Sequence, residues 1–407
     1  MHTNRTLMVL FFTLMLDMVG TAMLIPILPV IFTDASSPAF ILHGYSVTQQ
    51  YFIAGLVTAI FGIMQFIAAP ILGELSDMYG RKRLLTLGVA TLAISQLIFG
   101  FGIEIGALWL LLISRAIAGL AGANFSIAQA AIADVTKPED RAKNFGLIGA
   151  AFGIGFILGP VLSGWIAGVS GNPAAPFWLA GALGVINVVF ISLMLPETRS
   201  VKKQEHGFHI LKGIQNIRAA WRDKDAFPVY LSNFLYLSGF TFFTSFVGIM
   251  LVHRFAFSEA DIGTFFGVVG TCIVVTQLFI LRIITKTYHE RQIVRVTIPM
   301  VALVLLGYAF VPSAHFVYFL IPLMSIPQGL TMANMSALVS KSVSPEKQGA
   351  ALGINGSLMA LAQGIIPLFA GIVSGFLGLT IPFIFGSMLM VWAWLNLFMR
   401  PARAAHR

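Results

Sequence analysis

A single cysteine, Cys272, stands in 407 residues, so no disulfide forms within the chain and cysteine usage says nothing of redox compartment. Charge is scarce. Asp, Glu, Lys and Arg together make up 10% of the residues, against about 25% in an ordinary soluble domain. No G-x-x-x-x-G-K-[ST] phosphate cradle is present, which excludes an ATP-driven pump and leaves a gradient as the driving force. A nucleophile set beside its base is also missing, as is a cluster of metal ligands. The eight His are scattered, and His206 and His209 fall in a basic stretch where solvated side chains are expected. An enzyme, a cofactor and a metal site are therefore not expected. No cleavable leader is evident, because the first apolar run, from about Thr6 to Phe32, is too long for a signal-peptide core.

Apolar residues, by contrast, are in excess. They form 57% of the chain, too many for one water-soluble core to hide, so lipid is the expected solvent. Stretches of about 20 apolar residues, the length that crosses a bilayer, recur between short polar breaks. They are read near 6–32, 48–72, 84–103, 107–133, 144–169, 177–195, 227–252, 261–283, 296–311, 317–340, 349–375 and 381–399. Backbone groups in lipid must pair within their own segment, and the short alternating segments of a strand barrel are missing. The expected fold is an all-α membrane protein with twelve transmembrane helices.

A formal charge of +9 would suit nucleic acid in a soluble protein. The placement of the charges argues otherwise. Of 25 Lys and Arg, 23 fall in alternate loops and at the two ends, Arg254 alone falls in the other loops, and Arg115 lies within a span. Basic residues stay cytoplasmic. Both termini are thus expected in the cytoplasm of a multi-pass bacterial inner-membrane protein, with lipid and no nucleic acid as its surroundings.

The 30-residue stretch from Pro196 to Asp225 is the one long polar break, and it divides six spans from six. It predicts an N-terminal six-helix bundle over 1–198, a cytoplasmic linker over 199–226 and a C-terminal bundle over 227–407. In the linker Ile210, Ile214, Ile217 and Trp221 fall at helical spacing among Lys212, Arg218 and Arg222, which predicts an amphipathic helix on the inner leaflet. The halves also repeat. At an offset of 207 residues, Pro138-Glu139, Gly146, Gly149, Pro160, Gly164 and Gly168 fall on Pro345-Glu346, Gly353, Gly356, Pro367, Gly371 and Gly375. Two parallel repeats suit a transporter whose substrate site lies near the membrane midplane.

Four segments resemble the major facilitator superfamily, and within it the twelve-span drug:proton antiporters that include the tetracycline exporters. Gly73-Glu-Leu-Ser-Asp77-Met-Tyr-Gly80-Arg81-Lys82-Arg83 is similar to the family's signature in the loop after span two. The resemblance implies a cytoplasmic gate in which Asp77 locks to span eleven, near Gly349, and Arg81 pairs with Asp134. Gly146, Gly155, Gly159, Pro160 and Gly164 resemble the antiporter signature of span five, with Ser163 where glycine is usual. Asp17-Met-Val-Gly20 with Pro26 and Pro29 in span one, and Arg115-Ala-Ile-Ala-Gly119 in span four, resemble the same group, and Pro196-Glu197-Thr198 fits it. The loop near Arg282 to Gln292 has lost the glycine-aspartate pattern, so a second lock is not expected there.

Of sixteen acids Asp17 is the one deep in a span, and Arg115 is the one deep base. An ionised side chain at the bilayer centre costs roughly 2.5–3.5 kcal/mol on insertion scales. At about 1.5 Å per residue Asp17 lies about 17 Å from its cytoplasmic end, and Arg115 enters from the other side by about 12 Å. Asp17 is expected to carry a transported proton and Arg115 to tune it, since burial disfavours the charged carboxylate and a nearby cation favours it. A fixed ion pair between spans one and four is the competing reading. The substrate cavity is expected to be mostly apolar with isolated polar groups, drawing on Thr21, Gln65, Gln129, Tyr236, Phe240, Gln328 and Asn355. Such a lining suits a lipophilic, drug-sized ligand. The expected function is a monomeric, proton-coupled exporter of drug-like compounds. A dedicated metabolite or siderophore carrier and a non-transporting sensor on the same scaffold remain as alternatives.

Overall fold

A computed structural model describes residues 2–136, 141–198, 212–344 and 347–399. Helices account for almost all of them, and no strand occurs among the described residues. Twelve helical stretches are long and apolar enough to cross a membrane: α1 (Asn4–Thr33), α2 (Val47–Tyr79), α3 (Arg81–Glu104), α4 (Leu108–Val135), α5 (Leu147–Ser170), α6 (Ala175–Met194), and, after a short surface helix α7 (Lys212–Arg222), α8 (Phe227–Phe255), α9 (Glu259–Ile284), α10 (Glu290–Ala309), α11 (Ala314–Lys341), α12 (Gln348–Leu377) and α13 (Ile381–Phe398). This is a multi-pass membrane protein. Its helices expose many large apolar side chains, among them Trp165, Leu193, Phe319 and Phe376, as lipid-facing surface requires.

The helices outrun the apolar runs at several ends. α2 continues through the glycine-aspartate signature to Tyr79, so Gly73 lies inside a helix rather than in a turn. The turn is made at Gly80 alone, whose φ of +97° is a conformation that side chains disfavour. α10 begins at Glu290 and takes in Arg291 and Arg295, expected in the preceding loop. Three spans are interrupted. α1 breaks at Met23, three residues before Pro26, α4 passes through a 3-10 turn at Ala121–Ala123, and α9 through a π-helical turn at Thr276–Ile280. Such breaks free backbone groups that neighbouring side chains must satisfy. Ser163 does so at the first, donating to the Met23 carbonyl at 2.6 Å.

The chain forms two compact units. The first holds residues 1–45, 60–212 and 256–267, the second residues 46–59, 213–255 and 268–407. α2 and α9 thus each contribute to both. In the first unit α1 packs on α5 and α6, and α3 on α4 and α6. Its core is built from Leu10 and Leu14 of α1, Leu85 and Val89 of α3, Ile127 and Ala131 of α4, and Ile191 of α6. In the second unit α8 packs on α12 and α13, and α10 on α11 and α13. The order of partners is the same, seven helices on.

Small residues repeat that likeness. In the first unit Gly164 sits on the Glu259 carbonyl and Gly263 on the Pro160 carbonyl, so α5 and the start of α9 touch backbone to backbone. In the second, Gly371 sits on the Tyr51 carbonyl and Gly55 on the Pro367 carbonyl, joining α12 to the start of α2 in the same way. Gly168 and Gly375 extend the two contacts, the latter accepting a 2.9 Å bond from Thr48 Oγ1. The Pro138-Glu139 and Pro345-Glu346 members of the repeat lie outside the described residues.

Helix α7 docks on the second unit. Asn216 donates to Ser357 Oγ at 2.9 Å, and Ile217 and Ala220 pack with Tyr230, Val339 and Ile354. Ile214 and Trp221 stay exposed on its outer side. Ile210 and the linker from 199 to 211 lie outside the described residues.

Candidate functional site

Asp17 projects from the middle of α1 into the first unit and is 6% exposed. Both of its carboxylate oxygens are held by amides. Asn124 Nδ2 donates to Oδ2 at 2.8 Å, and Asn187 Nδ2 donates to Oδ1 at 3.2 Å while also reaching the Thr13 carbonyl. Asn124 is the first residue of the helical segment that follows the 3-10 turn of α4, and Asn187 lies in the middle of α6. On α3, Gln96 donates to the Gly20 carbonyl at 2.9 Å. Thr21 turns back to bond the Asp17 carbonyl at 2.8 Å. Leu92, Ala180 and Gly184 close the apolar part of the wall.

Arg115, also on α4, is 4% exposed. It makes no ion pair with Asp17; its guanidinium lies 4.7 Å from the ring centroid of Phe61, and its Nε has no hydrogen-bond partner among the described residues. A cation over an aromatic face is attracted by the ring's quadrupole, by about 2 kcal/mol when desolvated. α4 can approach α2 here because Gly119 rests on the Phe61 carbonyl and Gly122 on the Gln65 side chain. Gln65 in turn donates to the Gly122 carbonyl at 3.1 Å, satisfying a backbone oxygen within the 3-10 turn. A carboxylate and a guanidinium thus share one unit, each with neutral company.

At the basic end of the same unit Arg81 is buried between two acids. It reaches Asp77 at 2.5 Å and Asp134 at 3.2 Å, and its Nη1 donates to Ser76 Oγ. Glu197, from the Pro-Glu-Thr segment after α6, accepts from the backbone N–H groups of Arg81 at 2.8 Å and Lys82 at 3.3 Å. A carboxylate at a helix N-terminus satisfies orphan donors and complements the dipole. So the acid at the start of α3 is Glu197, whereas Asp77 spends a carboxylate oxygen on Arg81.

The glycines of α5 do what small residues do between membrane helices. Gly155 rests on Met18, and Gly159 on the Val19 carbonyl and Ala22, so α5 lies directly on α1 one turn beyond Asp17. Gly146, which opens the pattern, stands just before Leu147 in the same run of helix, which extends from Arg141 to Ser170. The aromatic and polar residues expected around substrate separate by unit. In the second unit Tyr236 is fully buried and its hydroxyl donates to Gln328 Oε1; Thr331 beside them donates to Thr297 Oγ1 at 2.7 Å. Asn355 accepts from Asn233. Phe240 is half-buried and stacks on Phe243, which is itself packed against Tyr308 and Phe383. In the first unit Gln129, like Gln65 and Thr21, is half-buried. No group of His, Cys, Asp and Glu among the described residues could hold a metal ion.

Sequence reasoning passed over Asn124, Asn187 and Gln96, and gave Glu197 no role beyond its place in the Pro-Glu-Thr match. The first three carried a signal: a buried polar side chain in an apolar span requires a partner.

Comparison with known proteins agrees with this architecture. Residues 10–326 match the family model described as Major Facilitator Superfamily. The chain is 30% identical over 373 residues to the class C tetracycline resistance protein of Escherichia coli, covering 89% of this chain and 87% of that one. It is 28% identical over 376 residues to the quinolone resistance protein NorA of Staphylococcus aureus, covering 90% and 89%. Among solved structures, the human organic anion transporter MFSD10 superposes with a TM-score of 0.74 at 24% identity, covering 97% of this chain and 99% of that one.

Proposed function

The chain belongs to the Major Facilitator Superfamily, whose members are transporters and not enzymes, and from that premise we propose that it is a proton-coupled antiporter exporting lipophilic, drug-like compounds by alternating access. The observation that carries this reading is Asp17: one acid deep in a span, buried, held by neutral amides and not neutralised by Arg115. A fixed ion pair would hold the carboxylate in its charged form. An acid with only dipoles on it changes the charge of its unit by one when it takes or releases a proton, and an ionised group is disfavoured in an apolar span. That difference couples a proton to a conformational cycle.

Arg115 supplies a second, unneutralised charge in the same unit and tunes Asp17 through space rather than by contact. Asp77, Arg81 and Asp134, fastened at Gly80 and by Glu197, form the gate on the side we assign to the cytoplasm. Thr21, Gln65 and Gln129 in one unit, and Tyr236, Phe240, Gln328 and Asn355 in the other, are the substrate contacts we propose. Resistance proteins for tetracycline and quinolones match nine-tenths of the chain, which supports drug-like cargo over a sugar. We place the protein as a monomer in a bacterial inner membrane, both termini cytoplasmic, with Ile214 and Trp221 of α7 turned to the lipid surface.

The test is accumulation of tetracycline, a fluoroquinolone and lipophilic dyes in efflux-deficient bacteria that express the chain. The expected result is lowered accumulation of at least one compound, restored by a protonophore. Unchanged accumulation across the panel at normal expression would reject drug export and favour a dedicated metabolite carrier.

A further inference from the structure

The amides on Asp17 are only half used. Asn124 and Asn187 each give an Nδ2 to the carboxylate, and each leaves its Oδ1 buried with no hydrogen-bond partner among the described residues. An ionised carboxylate only accepts hydrogen bonds, whereas a protonated one has an O–H to donate. A side-chain amide offers a donor on one edge and an acceptor on the other, so turning it exchanges the two. The ionised acid is served by the two Nδ2 groups, and the idle oxygens are the acceptors its protonated form requires. Asn124 is also seated with little slack. On α3 Gly88 lies so close that a Cβ there would run into the Asn124 amide. Its backbone begins the helical segment after the 3-10 turn of α4, where the span departs from regular α-helix.

We propose that Asn124 and Asn187 are positioning residues for Asp17, holding its carboxylate through Nδ2 and turning an Oδ1 toward it when it takes up a proton. This rests on Asp17 being the proton carrier. In the step a hydronium ion gives its proton to one carboxylate oxygen and leaves as water. The new O–H donates to an amide oxygen, and the turned amide gives up its Nδ2 bond to the carboxylate and, for Asn187, to the Thr13 carbonyl. No competing group is close. α5 and α6 carry no charged residue, those of α3 stand at its ends, as do Arg5 of α1 and Asp134 of α4, and Arg115 of α4 is stacked on Phe61.

The experiment is pH-titrated infrared difference spectroscopy on the purified protein in lipid, with the carboxyl C=O band lost in Asp17→Asn as the reporter. In Asn124→Leu and Asn187→Leu the band is expected to move to higher wavenumber, its O–H having lost an acceptor. Its titration midpoint is expected to rise by about one pH unit, because a charge-assisted donor to the ionised form is gone. Gly88→Ala keeps both amides but drives a methyl into Asn124, and is expected to shift the midpoint the same way. Should a leucine variant fail to fold, serine at that position, too short to reach Asp17, carries the same expectation. An unmoved band in the Asn124 and Gly88 variants overturns the role of Asn124, and one in the Asn187 variant overturns that of Asn187. Absence of any band lost in Asp17→Asn would instead overturn the proton-carrier reading itself.

Discussion

Arg81 shows how much one side chain can hold. It is 5% exposed and binds Asp77, Asp134 and Ser76 across the ends of α2, α3 and α4. Arg81 is buried but the side chains of Asp77 and Asp134 are 33% and 26% exposed, so water screens them once Arg81 is gone and the loss is about 1–2 kcal/mol. Arg81→Ala is therefore expected to lower the melting temperature of the purified protein by several degrees. Arg81→Lys should recover only part of the loss, since an ammonium has no planar fork to span two carboxylates. Equal melting of wild type and Arg81→Ala would show that the cluster is ornamental to the fold. Asp17 and Arg115 stood out in the sequence because charge in an apolar span is conspicuous, and Asp77 because its motif resembles the family's signature. Asn124 and Asn187 were not, because their partner stands 107 and 170 residues away and nothing in a one-dimensional pattern points across that distance. For Arg115, levels along a helix suggested a near approach to Asp17, but levels are silent on azimuth, and Phe61 takes the guanidinium instead.

Among the elements, α5 is the one most tightly bound by its small residues. Gly155 and Gly159 put its backbone on α1 within a turn of Asp17, Ser163 satisfies the break of α1, and Gly164 meets α9. Gly159→Val would press two methyl groups into the Val19 carbonyl and Ala22. Overpacking of this kind costs about 1–3 kcal/mol, and here it also shifts the wall behind Asp17. Thermal unfolding and export together check this: a modest fall in stability with a large loss of export is expected, and full export would show that the close approach is not required. The spans themselves were readable because lipid demands long apolar segments whose backbone groups are paired. Their ends were not. Hydropathy measures the thickness of the hydrocarbon layer, whereas a helix may run on into water, as α2 does to Tyr79 and α10 does from Glu290.

For the whole molecule, the repeat visible at a few Gly and Pro positions returns as a repeated order of helix partners and as two alike backbone contacts, α5 with α9 and α12 with α2. The sharing of α2 and α9 between the compact units was not legible, because hydropathy divides a chain only at its loops. The family fixes a transporter. The central claim beyond it is that one buried acid exchanges a proton for a lipophilic cargo. The most direct measurement is proton flux in liposomes with a trapped pH dye and an inward proton gradient, adding tetracyclines, lipophilic amines and neutral dyes to wild type and Asp17→Asn. At least one compound is expected to speed proton entry in wild type, and none in Asp17→Asn. Compound-driven proton entry that persists in Asp17→Asn would contradict that claim.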